Sequence, residues 1–98
     1  NYGESNNWLS CITLKESSAI KPLDIILALE NENIESRPVW KPMHLQPFFE
    51  EYDFFNHNDS GISIAEDIFN RGLCLPSDTK MTDSQIARVI NTISTLFR

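Results

Sequence analysis

The chain is poor in basic residues, glycine and cysteine, and each shortage excludes something. Lys and Arg total 8 against 14 Asp and Glu, a net charge of −6. No basic surplus is available to neutralise phosphates, which excludes sequence-independent nucleic-acid binding and docking on an anionic membrane. The longest apolar run, Ile25-Ile26-Leu27-Ala28-Leu29, falls far short of the roughly 20 residues of a spanning helix. Asn1-Tyr2-Gly3-Glu4-Ser5 has neither the basic nor the apolar region of a secretion signal, so a cytoplasmic location is expected. The chain opens without Met and is expected to be a piece of a longer protein. Its three glycines, Gly3, Gly61 and Gly72, fit neither GxGxxG nor GxxxxGK[ST], which leaves no phosphate-binding loop. No GxSxG marks a serine nucleophile. The two cysteines, Cys11 and Cys74, form no CxxC pair, and with only His44 and His57 beside them no zinc-ligand spacing exists. Each lies in an apolar run, so two buried free thiols are expected.

What is present suits one small α/β domain. Ninety-eight residues with 41 % hydrophobic and 22 % charged content can bury a modest core, covering about 65 % of the unfolded surface. Trp8 to Leu14 alternates as a strand. Pro22 opens a helix at the position where its missing N–H is harmless, with Leu23, Ile26 and Leu27 as the apolar face and Asn31-Glu32-Asn33 as its end. Ile34 to Val39 reads as extended, and Pro38 limits it to an edge or a strand end. Ser63-Ile64-Ala65-Glu66 is a capping box that starts a helix to Arg71, with Gly72 placed as its C′ residue. Leu73-Cys74-Leu75 is a short buried strand. Thr82-Asp83-Ser84-Gln85 caps a last helix whose core stripe is Ile86, Val89, Ile90, Ile93, Leu96 and Phe97. The order β-α-β-α-β-α predicts a three-stranded sheet packed with three helices, covered mostly on one face.

Two segments stand outside this pattern. Pro38, Pro42 and Pro47 stiffen a stretch that is neither helix nor interior strand, yet carries Trp40, Lys41, Met43 and His44. Phe48 to Ser60 is aromatic and acidic and reads as a loop with one helical turn, and part of its aromatic cluster Phe48, Phe49, Tyr52, Phe54 and Phe55 is expected to be covered by another domain or subunit. Asn56 to Asp67 places Gly61 and oxygen-bearing side chains as a calcium loop does. However, Asn56 replaces the opening Asp, Ser63 the apolar residue and Asp67 the closing Glu, so a solvated turn into a capped helix is the expectation. Asn58-Asp59-Ser60 is a formal glycosylation acceptor, of little weight without a secretion signal.

The block Asn33-Ile34-Glu35-Ser36-Arg37-Pro38-Val39-Trp40-Lys41-Pro42-Met43-His44-Leu45-Gln46-Pro47-Phe48 resembles the C-terminal region of the DegT–DnrJ–StrS sugar-nucleotide aminotransferases, pyridoxal-phosphate enzymes of fold type I. Asn6 to Leu9, Ala65 to Ser77 and Thr82 to Ile93 fit the same family in the same order. Glu50 to Ile62 departs from it. The resemblance implies that residues 1–98 are the small domain of a longer enzyme, with the cofactor-binding large domain of the same chain as its partner. It further implies a homodimer, and pyridoxal 5'-phosphate held by the large domain and not by this segment. The implied activity is transfer of an amino group, usually from glutamate, to a nucleotide-linked keto sugar for glycan assembly. Lys-Pro-Met-His is most like relatives that act on UDP-linked 4-keto-6-deoxy hexoses. No catalytic residue is expected within the segment, so alone it should be inactive. Trp40, Lys41, Met43 and His44 are the expected substrate-binding residues, His44 foremost, and Arg37 would bind an anion or tie the loop to the large domain. The competing reading is a non-catalytic α/β interaction module on the same scaffold.

Overall fold

A computed structural model describes residues 2–56 and 61–98. Strand β1 (Ser10–Thr13) is followed by helix α1 (Pro22–Asn31) and a two-residue strand β2 (Arg37–Pro38). Two 3₁₀ turns, Met43–Leu45 and Pro47–Phe49, precede α2 (Ile64–Arg71), which runs directly into β3 (Gly72–Leu75), and α3 (Asp83–Leu96) closes the order. The sheet order is β1-β3-β2, with both outer strands antiparallel to β3. The strand latest in sequence is therefore the central one, which is why Leu73 and Cys74 are buried and Pro38 sits on an edge where its missing donor does no harm.

The core lies on one face of the sheet. Leu73 of β3 packs with Ile25 and Leu29 of α1 and Val89 of α3, surrounded by half-buried Ile12, Leu14 and Ile93. The apolar face of α1 thus differs from the expected one: Ile25 and Leu29 are buried, Ile26 is half-buried, and Leu23 and Leu27 are exposed. A run that is apolar at five successive positions carries no phase of its own. The sheet selects the face. In α3 the stripe is narrower than expected, because Val89, Ile93 and Leu96 pack inward while Ile86, Ile90 and Phe97 are exposed.

Local chemistry sets the helix ends. Both capping boxes form: Ser63 Oγ accepts from Glu66 N (3.1 Å) while Glu66 Oε2 accepts from Ser63 N (3.0 Å), and Thr82 and Gln85 repeat the pattern. Helix α1 ends in a Schellman motif. Asn33 takes a left-handed φ of 57°, its N–H reaches Glu30 O, and the N–H of Ile34 reaches Leu29 O at 2.9 Å. Gly72 is not the left-handed residue expected after α2. Its φ of −102° is ordinary strand backbone. Its lack of a side chain is used otherwise, since a Cβ there would meet Ile68 O at 2.4 Å and Val39 Cγ2 at 2.7 Å. Gly72 lets the last turn of α2, β3 and the end of β2 converge. Arg71 ties the same junction to β1 through a fork on Asp67 and a 2.5 Å hydrogen bond to Leu14 O.

Strand β1 is also shorter than the predicted Trp8–Leu14, because Asn7 has φ 51° and turns Trp8 out of the strand line. One of the two expected buried thiols, Cys11, is exposed, whereas Cys74 is buried. The chain exposes 8241 Å², well above the roughly 5700 Å² expected for a compact monomer of this mass. Its radius of gyration is 16.0 Å, against about 13 Å for a compact domain of this length.

Candidate functional site

The proline-rich segment projects from the edge strand β2, and its side chains divide between two places. Trp40 and Lys41 line a cavity of about 1170 Å³ together with Trp8, Arg37, Lys80 and Arg88. The volume is slightly above the usual range for a small-molecule site, about 300–1,000 Å³. Trp8 and Trp40 form its aromatic wall, with ring centroids 5.6 Å apart and planes tilted by 39°. Both indoles remain largely exposed, at 67 % and 61 %. Half of the chain's eight basic residues thus border one cavity in a protein of net charge −6. Glu35 and Asp78 border it too, leaving a local cationic excess. Arg37 is forked onto Glu35 (Nε–Oε1 2.7 Å), and Arg88 reaches the Glu32 carbonyl and, at 3.4 Å, its carboxylate. Among the described residues neither Lys41 nor Lys80 enters an ion pair. Ser36 Oγ, also on the cavity lining, is buried and has no hydrogen-bond partner among the described residues.

Met43 and His44 lie away from that cavity. The bend that carries them is held by Leu45 N to Pro42 O (3.1 Å), Gln46 N to Met43 O (3.0 Å) and Gln46 Nε2 to Lys41 O (3.2 Å). The His44 ring is only 15 % exposed and stacks on Phe54 with centroids 3.6 Å apart. Its Nε2 stands 3.4 Å from Glu66 Oε2 without hydrogen-bond geometry. Glu66 is held below the usual carboxylate range, chiefly by the backbone N–H and hydroxyl of Ser63 and to a lesser degree by His44. His44 therefore packs the arm against the start of α2, while Met43 faces solvent.

Asp67, the candidate closing ligand of a calcium loop, is committed to Arg71, whose fork lowers its pKa. Among the described residues no cluster of His, Cys, Asp and Glu could hold a metal ion. His57 and the Asn58-Asp59-Ser60 acceptor lie outside the described residues. Sequence reasoning missed the place of Trp8, Ser36, Lys80 and Arg88 in the cavity. They come from four separate segments, which only the tertiary fold brings to one cavity.

A family model described as the DegT/DnrJ/EryC1/StrS aminotransferase family matches residues 2–94. A Bacillus subtilis (strain 168) protein provisionally named pyridoxal phosphate-dependent aminotransferase EpsN is 47 % identical over 95 residues, 97 % of this chain and 24 % of that protein. The GDP-perosamine synthase of Caulobacter vibrioides is 35 % identical over 83 residues, covering 85 % of this chain and 21 % of its own length. That of Vibrio cholerae is 29 % identical over 90 residues, 92 % of this chain and 23 % of its own. In fold, a sugar aminotransferase structure from Streptococcus pneumoniae in its PMP form superposes with a TM-score of 0.68 at 22 % identity, covering 90 % of this chain and 21 % of that one. The chain thus spans about a quarter of the length of the curated relatives it matches. With nearly every residue inside the match and the three-stranded sheet shared, the chain belongs to the DegT/DnrJ/EryC1/StrS aminotransferase family.

Proposed function

We propose that this chain is the C-terminal small domain of a pyridoxal-phosphate enzyme that moves an amino group, from glutamate, onto a nucleotide-linked keto sugar. The observation that carries the substrate half of this reading is the cavity. A nucleotide sugar brings two anionic phosphates, a flat base and a row of hydroxyls. Lys41, Lys80, Arg37 and Arg88 supply positive charge, Trp8 and Trp40 an apolar wall for base or sugar, and Ser36 Oγ an unpaired polar atom. His44 acts indirectly in this scheme, fixing the arm on which Trp40 and Lys41 ride, and Met43 faces the large domain.

The cofactor does not fit the residues of this chain alone. Its chemistry needs a lysine to form the Schiff base and an acidic residue to pair with the pyridine nitrogen, both in a shielded site. All four lysines of the chain, Lys15, Lys21, Lys41 and Lys80, are exposed. The large domain, and a second copy of the chain in a homodimer, would supply that site. The surface in excess of a compact monomer, roughly 2500 Å² as the difference between 8241 Å² and about 5700 Å², is of the size an obligate interface covers.

The full-length protein should turn yellow with pyridoxal phosphate and, supplied with glutamate, aminate a nucleotide-linked 4-keto sugar. A full-length protein that stays colourless and leaves the keto sugar unchanged overturns the proposal. The cavity has its own readout, because the chain's two tryptophans both line it. Titrating UDP- and GDP-sugars should quench their fluorescence, and Lys41→Ala should weaken that binding several-fold. Unchanged affinity in Lys41→Ala removes this cavity from the substrate path.

A further inference from the structure

Cys11 and Cys74 are remote in sequence but directly opposed in the register of β1 and β3, with their sulfurs 3.4 Å apart. The phase of the ladder can be read from one bond. Leu14 N–H donates to Arg71 O at 2.9 Å, which makes that pair a hydrogen-bonded position. Antiparallel pairs alternate, so Ile12 with Leu73 is bonded, and Cys11 with Cys74 falls at a non-bonded position. Side chains approach most closely there, with Cα atoms about 4.5 Å apart. That separation is inside the range of about 4.4–6.8 Å that a disulfide spans. The two thiols differ in access: Cys11 is exposed and Cys74 is buried at 6 %. Burial, with the Cys11 thiol beside it, pushes the Cys74 thiol up to about 11, which leaves Cys11 as the sulfur that meets a reagent first.

We propose that Cys11 and Cys74 form a reversible dithiol site that closes by exchange with a low-molecular-weight disulfide of the glutathione class. The Cys11 thiolate attacks one sulfur of the disulfide, forming a mixed disulfide and releasing one small thiolate. Cys74 then gives its proton to water and attacks the Cys11 sulfur, and the second small thiolate leaves and is protonated. The protein loses two hydrogens with their electrons, and the small disulfide is reduced to two thiols. Closure touches the cavity. Cys74 is part of its lining, and Cys74 Sγ stands 3.9 Å from Pro38 O on β2, a contact that bonding to β1 draws away. The site stands on β1 and β3 alone and is independent of the aminotransferase reading.

The test is incubation of the full-length protein with oxidised glutathione, alkylation of remaining thiols, and tryptic mapping. The expected product is a cross-linked pair of peptides, one ending at Lys15 and one running Gly72–Lys80, lighter by two hydrogens and restored by dithiothreitol. Cys74→Ser should stop at a glutathione adduct on Cys11, and Cys11→Ser should leave Cys74 alkylatable. A glutathione adduct that persists on Cys11 in the unaltered protein, a cross-link between two copies, or thiols left unreacted while a control dithiol peptide oxidises would each overturn the proposal.

Discussion

Gly72→Ala is the substitution that tests the packing of the α2–β3 junction most directly. By backbone preference it should stabilise, since φ −102°, ψ 154° is open to any residue and alanine loses less freedom on folding, by about 0.5–1 kcal/mol. The new Cβ, however, would stand 2.4 Å from Ile68 O and 2.7 Å from Val39 Cγ2. The valine can move, but the oxygen belongs to the last turn of α2 and moves only with the helix. Overpacking of this kind typically destabilises by about 1–3 kcal/mol. Steric cost exceeds the propensity gain, and the net expectation is a loss of about 1–2 kcal/mol. In a domain of this size that lowers the melting temperature by roughly 5–15 °C. Urea unfolding followed by far-UV circular dichroism should show a lower midpoint at an unchanged slope. Adding Val39→Ala should recover only part of the loss, because the clash with Ile68 O remains. A midpoint equal to or above that of the parent chain would refute the reasoning, since it would mean that the last turn of α2 leaves room for a methyl group against β3.

Other expectations follow from the same geometry. Ser63→Ala removes the acceptor for Glu66 N at a buried cap and should destabilise by about 1 kcal/mol, with Ser63→Asp recovering much of it; equal unfolding midpoints would show that the cap contributes nothing. Glu66 and Asp67 are held below their ordinary values of 4.5 and 3.8, so the stability they confer is present above those values and lost as pH falls through the lower folded-state values. The melting temperature should therefore drop on acidification below about pH 4.5, and less steeply in Glu66→Gln, which keeps a capping amide; identical pH profiles would mean that Glu66 has no part in the acid sensitivity. Phe55→Ser changes a residue that is 89 % exposed and should leave the unfolding free energy of the isolated chain within about 0.5 kcal/mol while destabilising the full-length protein. An equal loss in both would place Phe55 in the core of this domain rather than against a neighbour.

The elements that were legible in the sequence are those fixed by local chemistry. Pro22 at the start of α1 and the Ser63 and Thr82 boxes are stated by two or three residues each, and the structure places them as the sequence indicates. Pro38 limited its segment to an edge or a strand end, and the structure places it on the edge strand β2. What was not legible depends on partners distant in the chain. The buried face of α1 is chosen by β3 some forty residues later, and Gly72 is required by the approach of Ile68 and Val39 rather than by its own φ. The proline block yielded Trp40 and Lys41 together with His44, yet their neighbours are set by three different elements. Hence the indole of Trp40 faces Trp8 while the ring of His44 faces Phe54.

That division also explains why so stiff a segment is built on so slight a strand. Strand β2 has only two residues, and its pairing to β3 could not position a floppy loop. Three prolines and the Gln46 bridge to Lys41 remove most of that freedom in advance, and His44 pinned between Phe54 and the α2 cap anchors the arm a second time. Trp40, Met43, Phe48, Tyr52, Phe54 and Phe55 are all substantially exposed along this one stretch. Exposed aliphatic side chains also stand on each helix, at Leu23 and Leu27, Ile64 and Ile68, and Ile86 and Ile90, but five of the exposed aromatic rings lie on this arm. A braced aromatic arm is what a surface preformed for a neighbour requires, because its ordering entropy has been met before contact. On the proposed function, a domain covering the cavity at the root of the arm would exclude water from Trp8, Trp40 and Lys41. Their contacts with an anionic ligand would strengthen on assembly, and the same charges in the isolated chain would bind it more weakly.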